Sequence, residues 1–389
     1  MLRRLYYVIF AAALALAWPG RPAVAQTPTP AATAPAAGKP AIAKAGLATS
    51  PPVADAGWRA DLDRRIRAVD ARFSGELGVH VQRLDDGAQY GFRADEIWYL
   101  ASGVKVPIAI AVLREVEQGW LTLDTQVTLL DSDIVDGAGR TNGHRAGDRL
   151  TVAWLLDQMI VYSDNTASDL LIRTVGLGQV NRVAAELIAR DVRITTLADV
   201  RRLAYGMFHP GAAGLRGQDM LALQRAGAGQ ARVRRLAQLL GVTTDDFLLP
   251  DLDSAFESYY ATHANSGTLR DFGRMLAALQ AGEALEPEST QYLLDVMARV
   301  QTGKQRIRAG LPADARFAHK TGTQYRRICD AGIASLPTRD GSAPVHVVIA
   351  ACARGASTAA SERAMRELGA AVTASGVLDP PRLPHLPTR

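Results

Sequence analysis

Residues 108–113, Ile-Ala-Ile-Ala-Val-Leu, carry no polar side chain and lie in a helical stretch that starts near Ser102 and ends near Gly119. A helix apolar on every side has to be surrounded by the rest of the chain, so this stretch belongs at the centre of the fold. Its first turn is chemically unusual. Ser102-Gly-Val-Lys105 puts a serine and a lysine one helical turn apart on one face. Unpaired N–H groups at a helix start favour an anion forming on an attacked carbonyl. An amine in apolar surroundings has a lowered pKa and can act as a neutral base toward the serine hydroxyl.

Composition sharpens the point. Of 44 Lys and Arg residues, five are lysine: Lys39, Lys44, Lys105, Lys304 and Lys320. The first two fall in an Ala/Pro-rich leader, which leaves three in the part expected to fold. Ammonium can lose its proton near neutral pH when desolvated, whereas guanidinium cannot. A lysine kept in an arginine-rich chain is therefore a candidate for chemistry, with chance survival of a coding bias as the alternative. At 389 residues, 48% hydrophobic and 21% charged, the chain can bury a substantial core as one large domain or two small ones. The net charge of +5 comes from scattered arginines without a basic run interleaved with aromatics, so nucleic acid is not an expected partner.

The N-terminus reads as an export signal. Arg3 and Arg4 precede the apolar stretch Leu5 to Trp18, and Ala23-Val24-Ala25 fits a cleavage site before Gln26. The stretch is short for a membrane span, and no cysteine follows the site to carry a lipid. The expected location is periplasmic or secreted, with no membrane anchor after cleavage. The domain reading is a signal peptide at 1–25, an Ala/Pro-rich linker at 26–56, one folded domain at 57–378 and a tail at 379–389.

Within the domain, Trp58 to Phe73 has helical periodicity, and Leu77 to Leu84 alternates like a strand that turns at Asp85-Asp-Gly87 and pairs back over Ala88 to Phe92. A long middle section, 120–318, is mostly helical by pattern, with Thr151 capping one helix. Residues 205–256 hold a Gly/Pro loop and two helical pieces, at Gln218 to Arg225 and Arg232 to Leu240. Strands return at Ala315 to His319, Ile328 to Leu336 and Val345 to Ala353, followed by an amphipathic helix from Ala359 to Ala374. The economical fold is an α/β (α+β) sandwich. Five antiparallel strands drawn from both ends of the domain form one sheet, flanked by the N- and C-terminal helices, with an all-helical lobe inserted. Counting outward from a turn near Arg339 to Ser342 sets Cys329 and Cys352 nearly opposite each other. A disulfide and two buried thiols are both open. Neither cysteine has neighbours at metal-ligand spacing, so no metal is expected.

Three motifs occur in one order: Ser102-Gly-Val-Lys105, Ser163-Asp-Asn165 and Lys320-Thr-Gly-Thr323. Each alone is weak. The set, with the first opening an apolar helix and the last on a strand, resembles the active-site serine β-lactamases of class A and the related penicillin-recognising D,D-peptidases. The resemblance extends to Tyr162–Ile172 and to Thr302–Pro312 before the third motif, and covers about residues 57–375 apart from 200–260. It implies a serine hydrolase acting on small-molecule β-lactams without metal or organic cofactor, and nothing in the sequence demands more than a monomer. Ser102 would be the nucleophile and Lys105 its base. Ser163, its hydroxyl polarised by Lys320, would pass a proton to the leaving nitrogen. Asn165 would bind the substrate amide, and the N–H groups of Ser102 and Thr323 would hold the oxyanion. Lys320, Thr321, Thr323 and Arg306 would receive the substrate carboxylate. A bland reading of Ser163-Asp164-Asn165 is a helix cap, and alternation turns His319 away from Lys320.

The chain departs from the resemblance at one place. Class A enzymes carry Glu-x-x-Leu-Asn after the second motif to activate water, and no such string lies between Asn165 and Lys320. Glu257, in Phe256-Glu-Ser-Tyr-Tyr260, is the best substitute by position, against the alternative of a solvated surface carboxylate. Without such a base, acylation proceeds and deacylation is slow, as in a penicillin-binding D,D-peptidase or an esterase. A non-catalytic binding module is the remaining rival.

Overall fold

The computed structural model describes residues 56–338, 341 and 343–380. The expected signal peptide, nearly all of the expected linker and the expected tail beyond Pro380 lie outside the described residues. In chain order the elements are α1 (Ala56–Asp70), β1 (Glu76–Arg83), β2 (Gln89–Phe92), β3 (Ile97–Tyr99), α2 (Lys105–Glu117), β4 (Gln126–Thr128), β5 (Arg149–Thr151), α3 (Val152–Val161), α4 (Asn165–Val175), α5 (Leu177–Leu187), α6 (Leu197–Gly206), α7 (Gly217–Arg225), α8 (Gly229–Leu240), α9 (Leu252–Tyr260), β6 (Ser266–Thr268), α10 (Leu269–Gln280), α11 (Pro287–Ala298), β7 (Arg316–Gln324), β8 (Arg327–Leu336), β9 (Val345–Arg354) and α12 (Thr358–Ser375).

One five-stranded antiparallel sheet runs in the order β2-β1-β9-β8-β7. The first two strands and the last three therefore meet in its middle, as the terminal position of the β-prone segments implied. On one face α1 and α12 bury Leu62, Ile66, Met365 and Leu368 against Val79, Val347 and Ile349. The other face carries α10 and the helical lobe, whose core is organised around α2. Residues 108–113 of α2 are at most 1% exposed, which is what a helix without a polar face requires.

The lobe is not purely helical. β3 pairs with β6 and β4 with β5, in ladders of three residues each, too short for a two-residue period to show in sequence. Residues 197–260 hold four helices, α6 to α9. They form an excursion closed at its neck by Asn265. Its N–H donates to the Arg193 carbonyl at 2.8 Å, its Oδ1 accepts from the Thr195 N–H at 3.0 Å, and its Nδ2 donates to Thr195 Oγ1 at 2.8 Å. α7 and α8 match the expected pieces. α6 and α9 were not anticipated.

Cys329 and Cys352 are directly opposite in the β8–β9 ladder and are joined by a disulfide. The open alternative of two thiols is thereby settled.

Candidate active site

Ser102 lies in a 3₁₀ turn, Ala101–Val104, that feeds into α2 at Lys105. Ala101 before it and Ser163 across the cleft both have positive φ, 48° and 61°. Such backbone costs roughly 1–3 kcal/mol per residue and persists only where packing over-determines it. For Ala101 the packing comes from β7. A Cβ on Gly322 would sit 2.6 Å from the Leu100 carbonyl and 3.0 Å from Ala101 Cβ. Only glycine lets the third motif's strand approach the serine turn this closely.

Lys105 is fully buried. Its Nζ donates to the Ser163 carbonyl at 2.6 Å, to Asn165 Oδ1 at 2.8 Å and to Ser163 Oγ at 3.3 Å. Lys320, also buried, donates from the far side to Ser163 Oγ at 3.0 Å and to the Thr321 carbonyl at 3.0 Å. The Ser163 hydroxyl thus lies between two lysine amines. Burial pulls the Lys105 amine down to about 7, with Asp164 and Asp169 opposing and Arg201 adding to the depression. Burial, then Lys105, then Arg306 hold Lys320 well below its ordinary range. One or both amines can therefore be neutral near pH 7 and act as bases. Ser102 is partly exposed, one turn from Lys105. Its hydroxyl has no hydrogen-bond partner within the protein among the described residues, so it is free to turn toward a substrate or toward the lysine.

Asp164 is structural. Its carboxylate caps α4 by accepting from the Ala167 N–H and also accepts from the Thr141 N–H, so the helix cap read from the second motif is present. Gly139 packs on that carboxylate, where a Cβ would lie 2.0 Å from Oδ2. Asn165 donates to the Asp136 carbonyl at 2.6 Å. One amide hydrogen is thereby used, and the second is left for a substrate. His319 faces away from Lys320, pairing with buried Asp330 at 2.7 Å.

Three expected site residues are placed differently from a free donor or base. The Arg306 guanidinium is buried under β7. It donates to the carbonyls of Gly322 and Cys329, both at 3.0 Å, to Thr323 Oγ1 at 2.7 Å and to Glu362. It holds the strand and orients Thr323, so its influence on a bound carboxylate passes through that hydroxyl. Thr321 is buried and shares a hydrogen bond with Thr302. Glu257 stands on α9 with a side chain 55% exposed, bonded to Arg327 at 2.6 Å. It faces a depression of about 690 Å³ lined by the strand ends at Glu76, Arg326 and Arg354. None of its hydrogen bonds reaches Ser102 or Lys105, which matches the solvated-carboxylate alternative.

Sequence reasoning missed the residues that support this centre. Buried Asp169 fastens α6 to α4 by accepting from the N–H groups of Leu197 and Ala198 at 2.6 and 2.9 Å. Burial raises its carboxyl to about 7, against the pull of those two donors. An aromatic cluster on α9 joins the two sides of the site. Tyr260 packs on Tyr99 at 4.7 Å and donates to the Tyr325 carbonyl at 2.7 Å, and Phe256 stacks on Tyr325 at 5.3 Å. Tyr99 is three residues before Ser102 and Tyr325 two after Thr323. The run Phe256-Glu-Ser-Tyr-Tyr260 was visible, but its aromatic partners lie more than 60 residues away.

A model of the "Beta-lactamase enzyme family" matches residues 61–375. The chain belongs to the β-lactamase enzyme family. Among curated relatives, a β-lactamase of Mycobacterium tuberculosis is 28% identical over 323 residues, 82% of this chain and 86% of the relative. A β-lactamase of Streptomyces albus G is 27% identical over 299 residues, 74% of this chain and 76% of the relative. Among solved structures, a β-lactamase from Sphaerobacter thermophilus superposes with a TM-score of 0.60 at 24% identity, covering 82% of this chain and 99% of that one. PBP-A superposes at 0.56 with 21% identity, covering 81% and 95%. At these identities the structural matches speak to the fold, and the α/β sandwich with a five-stranded sheet is the fold of the β-lactamase family.

Proposed function

We propose that this β-lactamase-family protein opens β-lactam rings by forming an acyl-enzyme on Ser102. The observation that carries the reading is the Ser163 hydroxyl set between the buried amines of Lys105 and Lys320. In this reading neutral Lys105 takes the Ser102 proton, directly or through Ser163, as Oγ attacks the lactam carbonyl. The tetrahedral oxyanion forms at the N–H groups of Ser102 and Thr323. On collapse the C–N bond breaks, and Ser163 returns a proton to the ring nitrogen. Thr323, oriented by Arg306, and Lys320 receive the substrate carboxylate, and the free Asn165 N–H binds its amide. The curated relatives named β-lactamase support this activity.

A second reading, acylation with slow release, is favoured by one feature. The carboxylates around Lys105 are all committed: Asp136 to Arg201, Asp164 to two backbone N–H groups and Asp169 to two more. With Glu257 paired to Arg327, deacylation in this protein falls to Lys105 itself. Mixing the protein with a chromogenic cephalosporin and a labelled penicillin separates the readings. Multiple turnovers abolished by S102A support hydrolysis. Stoichiometric labelling of Ser102 with turnover below one per minute supports the penicillin-binding or esterase alternative. Neither signal refutes both.

Export to the periplasm or beyond is part of the proposal. It rests on the leader sequence and is supported by the Cys329–Cys352 bond, which persists in oxidising compartments. Among the described residues no helix is long and apolar enough to cross a membrane. Finding a mature N-terminus at Gln26 supports the proposal, and a full-length chain confined to cytosol refutes it. A monomer acting without metal or cofactor completes the reading.

A further inference from the structure

The excursion between Thr195 and Asn265 contributes one charged side chain to the surroundings of the reacting lysine. Arg201, on α6, is largely buried, its side chain 15% exposed, and its Nε donates to Asp136 Oδ1 at 2.5 Å. Asp136, 8% exposed, precedes a glycine-rich turn that packs on the second motif. Its main-chain carbonyl accepts from Asn165 Nδ2 at 2.6 Å, and Asn165 Oδ1 accepts from Lys105 Nζ at 2.8 Å. Asp136 therefore links the inserted lobe to the amine, its carboxylate bonded to Arg201 and its main-chain carbonyl to Asn165, which in turn meets Lys105. The arginine end is fixed, because Asp169 pins the first turn of α6 to α4.

We propose that Arg201 and Asp136 are positioning residues for Lys105, the arginine as a fixed cation that favours the uncharged amine and the aspartate as the anchor that orients Asn165. This deepens the reading of Lys105 as base for Ser102. The charge logic is specific. Arginine stays charged in a protein interior. Lys105 is faced by the carboxyls of Asp164 and Asp169, by the Arg201 cation and by the Lys320 amine. Arg201 is faced by Asp136, by Tyr99 and Tyr205, and by Lys105. Removing the Arg201 charge leaves the Asp136 anion uncompensated near the amine. Removing the Asp136 charge leaves the Arg201 cation uncompensated. The two substitutions must move the amine's titration in opposite directions, whereas two merely structural lesions would not.

The test reads Lys105 directly. The chain has five lysines, so the Lys105 Cε resonance of ¹³C-lysine-labelled protein is assignable by its loss in K105R. R201Q is expected to raise the titration midpoint and D136N to lower it, each by on the order of one pH unit. R201K, which keeps the charge, is expected to restore the wild-type midpoint. The acylation rate with labelled penicillin should shift its rising limb the same way. Equal midpoints in R201Q, D136N and wild type, or shifts of one sign, overturn the proposal. If R201Q does not fold, D136N and R201K still decide it through the downward shift and the restoration. Absence of acylation in wild type would remove the β-lactam reading, and the resonance titration would judge the ion pair regardless.

Discussion

Lys105 should make the protein more stable at alkaline pH, and replacing it by methionine should erase that gain. The amine titrates near 10.5 in an unfolded chain and is drawn to about 7 by burial in the fold. Below pH 7 both states hold the proton, and the fold carries the full penalty of a buried ammonium. Between pH 7 and 10.5 the unfolded chain holds a proton that the native state has lost, so unfolding free energy rises with pH. The slope is about 1.4 kcal/mol per unit, or about 3 kcal/mol from pH 7 to 9.5. K105M removes the titration and leaves two acceptors, the Ser163 carbonyl and Asn165 Oδ1, short of a donor at roughly 1–3 kcal/mol each. The absolute difference at pH 7 is therefore a near-cancellation, and the slope is the test. Urea unfolding of wild type and K105M at half-unit steps from pH 7 to 9.5 gives it, because tyrosines that titrate at higher pH act on both proteins alike. Parallel curves would mean that Lys105 keeps an ordinary pKa in the fold, and the neutral-base argument would fail with it.

His80 works at the acid end. It is 1% exposed, and burial depresses it from 6.5 to about 4, with Arg270 adding to the effect and Gln82, Asp95 and Asp271 opposing. Stability should fall by about 3 kcal/mol as pH drops from 6.5 to 4, and H80F should flatten that limb in acid unfolding curves. Gly322→Ala drives a methyl to 2.6 Å from the Leu100 carbonyl, and Ser102 acylation should drop at least a hundredfold in single-turnover labelling. Glu257→Gln should leave acylation and turnover within about twofold, since the carboxylate serves Arg327; a hundredfold loss would restore it as a base. C329A/C352A removes a link across a separation of 23 residues, and chain entropy puts the loss near 3 kcal/mol, read as a lower denaturant midpoint.

What could be read from the sequence depended on the range of the interaction. The β1–β2 hairpin, the buried α2 and the caps at Thr151 and Asp164 are local, and hydrophobic period and capping chemistry expose them. The three motifs were legible because each keeps its chemistry within four residues. α6 was not. Its start is fixed by the Thr196 hydroxyl, which accepts from the Asp199 N–H, together with Asp169, 28 positions before Leu197, whose carboxylate takes the N–H groups of Leu197 and Ala198. Arg306 was expected among the carboxylate donors and lies in the loop before β7 with its guanidinium under the strand, because residue type tells that a cation is present but not which surface it reaches. Glu257 was chosen by distance along the chain, and the helix that carries it turns its aromatic side to the site and its carboxylate to Arg327.

The site concentrates unfavourable features that the rest of the fold has to offset. Two lysines are buried a single hydroxyl apart, and two residues beside the reacting atoms sit at positive φ. Three devices hold them. The disulfide ties β8 to β9 at Cys329, which the β7–β8 ladder sets opposite Gly322, and the Cys329 sulfur lies 3.3 Å from the Tyr99 carbonyl. A disulfide sulfur has no proton to donate, so this contact is packing that keeps β8 and the approach to Ser102 in register. Arg306 joins Gly322, Thr323 and Cys329 through one planar group whose donors are fixed in direction. The α9 aromatics join Tyr99 to Tyr325 from the inserted lobe. The aromatics join the turn of the first motif to the end of the third motif's strand, while Arg306 and the disulfide fix β7, β8 and β9 to one another beside that turn, and none touches Ser163 or Lys105. Loosening any of them should therefore slow attack on the carbonyl by spoiling the oxyanion donors while leaving the Lys105 titration in place. Substitutions at Arg201 and Asp136 should do the reverse, because they act on the amine and leave the strand alone.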